Sequence, residues 1–177
     1  AARQEIVRRY YTALCDRRMG AAGDELVNKL ELVMQQAHVD VSIRPVVAAA
    51  AQVAEATGKP AGAIELPDGE VVTGKTTDLM GASSSTLLNA LKRLAGIDHE
   101  HHLISREAIE PIQAVKVNHL GSVNPRLHSD EILIALAISA TTNPLARRAL
   151  DQLEQLRDCE AHSSVILSPA DSGTYAK

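Results

Sequence analysis

The side chains best equipped for chemistry are Lys75, Ser83, Ser84, His119, Arg126, His128, Cys159 and His162. Lys75 stands shortly before Gly81-Ala82-Ser83-Ser84-Ser85, where small residues open a helix. Free amides, hydroxyls and the positive end of the helix dipole make such a start a binding place for phosphate or carboxylate. The competing reading is that Ser83 or Ser84 only caps the helix while Gly81 turns the chain. Arg126 offers a planar fork for a phosphate or carboxylate, and His119, His128 and His162 have the side chain suited to proton transfer near neutral pH. Cys159 precedes His162 by three residues, a spacing that permits a thiol nucleophile with an imidazole partner. An inert core thiol beside a hydrogen-bonded histidine accounts for the same letters. The expectation is that Arg126, His128 and His162 gather with Lys75 and Ser83 around one cleft.

Two motifs promise more than their context supports. Gly69-Glu70-Val71-Val72-Thr73-Gly74-Lys75-Thr76 fits the phosphate-loop pattern residue for residue. Its interior residues are strand formers, however, and no helix begins at the lysine, so an anion cradle is not expected there. His99, His101 and His102 lie beside Asp98 and Glu100, but their spacing does not set two ligands one helical turn apart. That cluster reads as a solvated link, and no metal site is assigned.

These residues need a scaffold, and the apolar spacing supplies most of it. Ile6, Val7, Tyr10 and Leu14 predict a first helix running to about Met19, and Leu26, Leu30, Val33 and Met34 a second. An Ala-rich third helix opens at Pro45 and ends at Gly58. Pro67-Asp68-Gly69 joins two short strands into a hairpin, and Leu87, Leu88, Leu91 and Leu94 mark a helix stopped by Gly96. Ser105 caps a further helix containing Pro111. Asn118 to Pro125 reads as a loop. Ile132 to Ala140 predicts a helix so apolar that burial on all sides is expected. An amphipathic helix through Leu145, Leu150, Leu153 and Leu156 follows, and a strand at Val165-Ile166-Leu167 before a turn from Pro169 to Gly173. The fold class is therefore α/β in the α+β sense: helix-rich, with a small mixed sheet including a hairpin near residues 61–74 and helices around it. A helical subregion is expected over residues 1–58 and the α/β core over 59–177.

Composition narrows the partners. The 177 residues carry a net charge of -4 and only 2% aromatic residues, with no Phe or Trp. Neither an electrostatic footprint nor a stacking platform for nucleic acid is present. Two cysteines are too few for a disulfide framework, and no apolar run of about 18 residues exists to span a membrane, which reads as a cytoplasmic protein. The chain starts inside a helical pattern at Ala1-Ala2-Arg3 without Met and stops just after a turn signal, which suggests a piece of something longer.

Arg9-Tyr10-Tyr11-Thr12-Ala13-Leu14-Cys15-Asp16, Leu66-Pro67-Asp68-Gly69, Val117-Asn118-His119-Leu120-Gly121, Asn124-Pro125-Arg126-Leu127-His128-Ser129-Asp130-Glu131 and Cys159-Glu160-Ala161-His162-Ser163 occur in that order. Together they resemble a bacterial family known as domain of unknown function eighteen-forty-six, or uncharacterised protein family three-seventy-one. The resemblance covers nearly the whole chain. It implies a protein about three times as long, of which this is the C-terminal portion, so the missing N-terminal portion is an expected partner. Two functional readings remain. One is a domain of a phosphate- or nucleotide-using enzyme that takes a phosphate-bearing small molecule; the other is an assembly module that packs on the missing portion or forms a homo-oligomer. The sequence names no cofactor.

Overall fold

The computed structural model describes residues 2–177; Ala1, at the start of the expected first helix, lies outside them. Helix α1 (Ala2–Arg18) and helix α2 (Asp24–Gln36) form the hairpin that the apolar spacing predicts, closed by Val7, Met34 and Val39. A short 3-10 turn (Val41–Ile43) leads into α3 (Pro45–Thr57). Proline at the first position lacks the amide that would be orphaned there, and Gly58 at φ 64 ends the helix in the left-handed region.

Strands β1 (Ala61–Glu65) and β2 (Val71–Lys75) follow, joined by a turn in which Gly69 takes φ 86 and the Asp68 carboxylate accepts from the Glu70 amide. With β3 (Ala161–Ser163) they form a three-stranded sheet in the order β2-β1-β3, and both ladders are antiparallel. An isolated parallel bridge, Met80 with Leu127, lies outside it. Alternation sorts the central strand between two helices. Ala63 and Val71 meet Val46, Val47 and Ala50 of α3 on one face, while Ile64 and Val72 meet Ala90 and Leu94 of α4 (Ala82–Leu94) on the other. Lys59 and Pro60 do separate α3 from β1, yet α3 packs across that point onto the sheet.

Helix α4 lies very close to the hairpin. A Cβ added to Gly74 would stand 2.3 Å from the Thr86 amide nitrogen, so only glycine fits. The phosphate-loop letters therefore encode a turn and a strand. Residues 71 to 75 are β2, and the next helix starts at Ala82, as the β-branched residues predict.

Helices α5 (Arg106–Asn118), α6 (Ser129–Ser139) and α7 (Pro144–Leu150) build the largest core with α4, through Leu91, Ile109, Ile132, Leu136 and Ala146. Ser105 caps α5 by accepting from the Ala108 amide, and the helix runs through Pro111. Four expectations need correction. Helix α6 is not buried on all sides, because Ile134 and Ile138 are 62% and 65% exposed along its outer face. The last strand is Ala161–Ser163, not Val165 to Leu167: the ladder to β1 extends only from the Glu160 carbonyl to the Ser164 amide, and tertiary pairing overrides β-propensity. The turn expected from Pro169 is helix α8 (Pro169–Tyr175), which Ser168 caps by accepting from the Asp171 amide. The amphipathic helix also breaks after Leu150, continuing as a 3-10 turn over Leu153–Leu156.

Candidate functional site

Strand β3 sits at the edge of the sheet, and the chain through it lines an open cleft of about 1190 Å³. The cleft wraps that edge. On one side stand Arg8 and Tyr11 of α1 with Arg44; on the other, Ser83 and Thr86 of α4 with Tyr175 of α8. Gly62 of β1 forms part of its floor.

Arg44 is the most deeply set charge there, 3% exposed. Its Nε and Nη2 contact Glu160 Oε2 at 3.0 and 2.9 Å, and Nη2 donates to the Ala161 carbonyl at 2.9 Å. Nη1 meets no acceptor among the described residues. The other Glu160 oxygen pairs with Arg8. Burial acts to raise the Glu160 carboxyl, but the two guanidinium groups outweigh it and hold the carboxyl below its ordinary value.

His162 shares its sheet face with Ala63, its ladder partner, and its ring meets Tyr11 edge-on at 4.7 Å between centroids. Burial, followed by the charge of Arg44, pushes its pKa down to about 4, so the imidazole is neutral at pH 7. The Cys159 thiol moves the opposite way. Burial and the nearby Asp158 and Glu65 raise it, and Sγ donates to the Gln155 carbonyl at 3.5 Å. Both members are thus held neutral, as a thiol and an imidazole, rather than as a thiolate–imidazolium pair.

Across the cleft, α4 begins at Gly81 without a side-chain cap. The amides of Ala82, Ser83 and Ser84, all in buried residues, meet no acceptor among the described residues. Ser83 lines the cleft, and its carbonyl accepts from the Tyr175 hydroxyl at 2.7 Å. Burial and the Asp171 charge drive the Tyr175 phenol far above its ordinary pKa. Fully buried Ser84 faces away and donates to the Leu127 carbonyl at 2.9 Å.

Of the residues singled out in the sequence, Ser83, Cys159 and His162 line this cleft; Lys75, Ser84, His119, Arg126 and His128 do not. Lys75 ends β2 at the opposite edge of the sheet and is exposed. Arg126 donates from Nε to the Thr77 carbonyl at 2.7 Å, a loop-to-loop tie. His128 precedes α6, and its amide donates to Glu131 Oε2 at 2.7 Å. Buried Lys116 joins that group: Nζ lies 2.6 Å from both the Arg126 carbonyl and Glu131 Oε2, and 3.5 Å from His128 Nδ1. His119 follows α5 and is exposed. Among the described residues no three His, Cys, Asp or Glu side chains are grouped to hold a metal ion.

Sequence reasoning missed Arg44 and Glu160 altogether. Nothing in a lone arginine before Pro45 announces burial, and its carboxylate partner stands 116 residues away. It also missed Asp171, which is buried and accepts from the amide and hydroxyl of Ser129 and from the Ser168 hydroxyl. That carboxylate fills the start of α6 and ties α8 to it.

Fold and cleft together define a helix-rich α/β domain whose small sheet exposes one edge to a charged groove. The family model described as "Domain of unknown function DUF1846, C-terminal" matches residues 42–177. The chain belongs to that family. It is 54% identical over 175 residues to a UPF0371 protein of Corynebacterium glutamicum (strain R), covering 99% of this chain and 35% of the relative. A UPF0371 protein of Streptococcus pneumoniae (strain Hungary19A-6) is 49% identical over 177 residues, 100% of this chain and 36% of the relative. The chain thus spans about a third of the length of these relatives and corresponds to a C-terminal portion of a longer protein. No helix among the described residues is long and apolar enough to cross a membrane.

Proposed function

We propose that this chain is the C-terminal domain of a larger cytoplasmic protein, a phosphate- or nucleotide-using enzyme, and that the cleft at β3 binds the phosphate or carboxylate of its small-molecule ligand. The observation that carries this reading is Arg44, a nearly buried guanidinium that lines the cleft with Nη1 unengaged. Supporting it, the uncapped start of α4 presents Ser83 to the same cleft. Arg44 Nη1 is not sealed from solvent, and an anion entering the cleft exchanges its water for a charge-assisted hydrogen bond. His162, neutral at pH 7, lines the cleft against Tyr11, and Cys159 lines it as a thiol on the other face of the sheet, among Ile64, Leu66 and Tyr175. Of the other nominated residues, Lys75, Ser84, Arg126, His119 and His128 take structural or solvated roles in this reading.

The test is calorimetric titration of the full-length protein with inorganic phosphate. Arg44→Gln should weaken binding at least about tenfold, the scale of one charge-assisted hydrogen bond, while Lys75→Gln and Arg126→Gln leave it unchanged. Absence of phosphate binding, or equal losses in all three variants, would refute the assignment.

A second reading, as an assembly module, is favoured by one further observation. Ile134 and Ile138 of α6 stand exposed, as do Leu120 and Val123 after α5, Val123 to 99%. Apolar faces of this kind suit packing on the preceding portion of the protein or on a second copy.

A further inference from the structure

We propose that the outer apolar stripe of α2, built on Leu26, Leu30 and Val33, is the face on which the preceding portion of the full-length protein docks. The inference does not depend on what the cleft binds. Helical geometry sets the stripe's position, each residue advancing about 100° around the axis. Val27 and Met34, both buried, fall about 20° apart on that circle, and Leu30, Leu26 and Val33 carry the apolar arc on to about 120° from Val27. Leu26 is 46% exposed, and Leu30 and Val33 are half-buried. A helix on a protein surface commits an apolar stripe about 100° wide to a core, and here the described residues cover only one margin of it. The hairpin has little else to hold it, since α1 buries only Val7 and Ala13 among its described residues, and α2 only Val27 and Met34.

The topology selects the occupant. Arg17 pairs with Asp24, the Tyr10 hydroxyl donates to Glu31, and Val7 packs with Met34 and Ala37, so the two helices run antiparallel. The Val33 end of the stripe therefore lies beside the start of α1, where the preceding chain joins. Both helices also stand ahead of residue 42, where the match to the C-terminal family model begins, although the longer relatives align over 99% and 100% of the chain. The hairpin is thus shared with proteins that carry most of their length before it, and it lies outside the C-terminal domain proper. A partner tethered next to a face meets it at an effective concentration that a free molecule seldom matches. A second copy of the chain has no such tether.

The experiment is hydroxyl-radical footprinting of the purified full-length protein, read residue by residue by mass spectrometry. Leu32 is the internal control, because it lies on α2 outside the arc and is 58% exposed, close to the 46% of Leu26. An interface core excludes water as an interior does, so Leu26 should oxidise at least about tenfold more slowly than Leu32. That protection should persist through about a hundredfold dilution, which dissociates a second copy but not a tethered portion. Leu26→Asp should lower the Tm of the full-length protein by at least about 2 °C, while Leu32→Asp leaves it unchanged. If Leu26→Asp fails to fold, footprinting of the unaltered protein decides the matter alone. Equal oxidation of Leu26 and Leu32, or equal Tm shifts in the two variants, overturns the proposal. Protection that disappears on dilution also overturns it and gives the face to a second copy.

Discussion

Replacing Gly74 by alanine separates the two meanings of the phosphate-loop letters. The added Cβ would stand 2.3 Å from the Thr86 nitrogen, 2.6 Å from its Cα and 2.7 Å from the Ser85 carbonyl carbon. All three are backbone atoms of α4, so no side chain can rotate away. Relief to ordinary contact requires α4 to move from the hairpin by about 1 Å, through a close-packed interior that resists such displacement. The helix also carries Leu87, Leu88 and Leu91 into the main core and is tied to β2 by Asn89, which donates to the Thr73 carbonyl at 2.9 Å. Overpacking of this kind costs about 1–3 kcal/mol or more, and contact with backbone places Gly74→Ala at the upper end. Loss of unfolded-state entropy returns about 0.4–1 kcal/mol, leaving a net destabilisation of about 2–3 kcal/mol. For a chain of this size that corresponds to a fall in Tm of about 4–12 °C. The assay is urea denaturation and thermal melting followed by far-UV circular dichroism, with exposed Lys75→Ala as the neighbouring control, which should stay within about 0.5 kcal/mol of the parent. A Gly74→Ala protein as stable as the parent would refute the packing argument and reopen the anion-cradle reading of residues 69 to 76.

Acid should weaken the fold through His162. Its folded pKa of about 4 lies below the ordinary value of 6.5, so the neutral ring contributes no difference above pH 6.5. Stability is then lost as pH falls from 6.5 toward 4, because the unfolded chain takes up a proton that the fold resists. After allowance for solvent around a half-buried ring, the loss is about 1–2 kcal/mol. His162→Gln should flatten that part of the stability profile, and an unchanged slope would count against the burial argument. Asp171→Ala should destabilise by about 2–3 kcal/mol in denaturant melts, since the buried Ser129 amide and hydroxyl lose their acceptor; a change under about 0.5 kcal/mol would show that water replaces the carboxylate. Cys159, whose thiol is pushed upward, should react with iodoacetamide at pH 7 more slowly than an unperturbed cysteine. Peptide mapping that finds Cys159 labelled first would contradict it.

The sequence by itself determined the local elements. Helical spacing of Leu, Val and Ala located α1 to α6 closely, Ser105 and Pro45 marked their helix starts, and Pro67-Asp68-Gly69 fixed the hairpin because Gly69 alone adopts φ 86 without strain. These are short-range effects, written in neighbouring residues. The same locality let β-branched Val71, Val72 and Thr73 outweigh a formal phosphate-loop match. It failed where a distant partner decides. Val165-Ile166-Leu167 has strand propensity, but the register with Ala61, Gly62 and Ala63 places β3 at Ala161–Ser163. Ile134 and Ile138 look like core and stand exposed, because no described residue covers their side of α6. The candidate site was legible only in part, through Ser83, Cys159 and His162. Arg44 and Glu160 meet across 116 residues, and which buried charge finds which partner is settled by how α1, α3 and β3 converge at the sheet edge, a long-range outcome that no local spacing encodes.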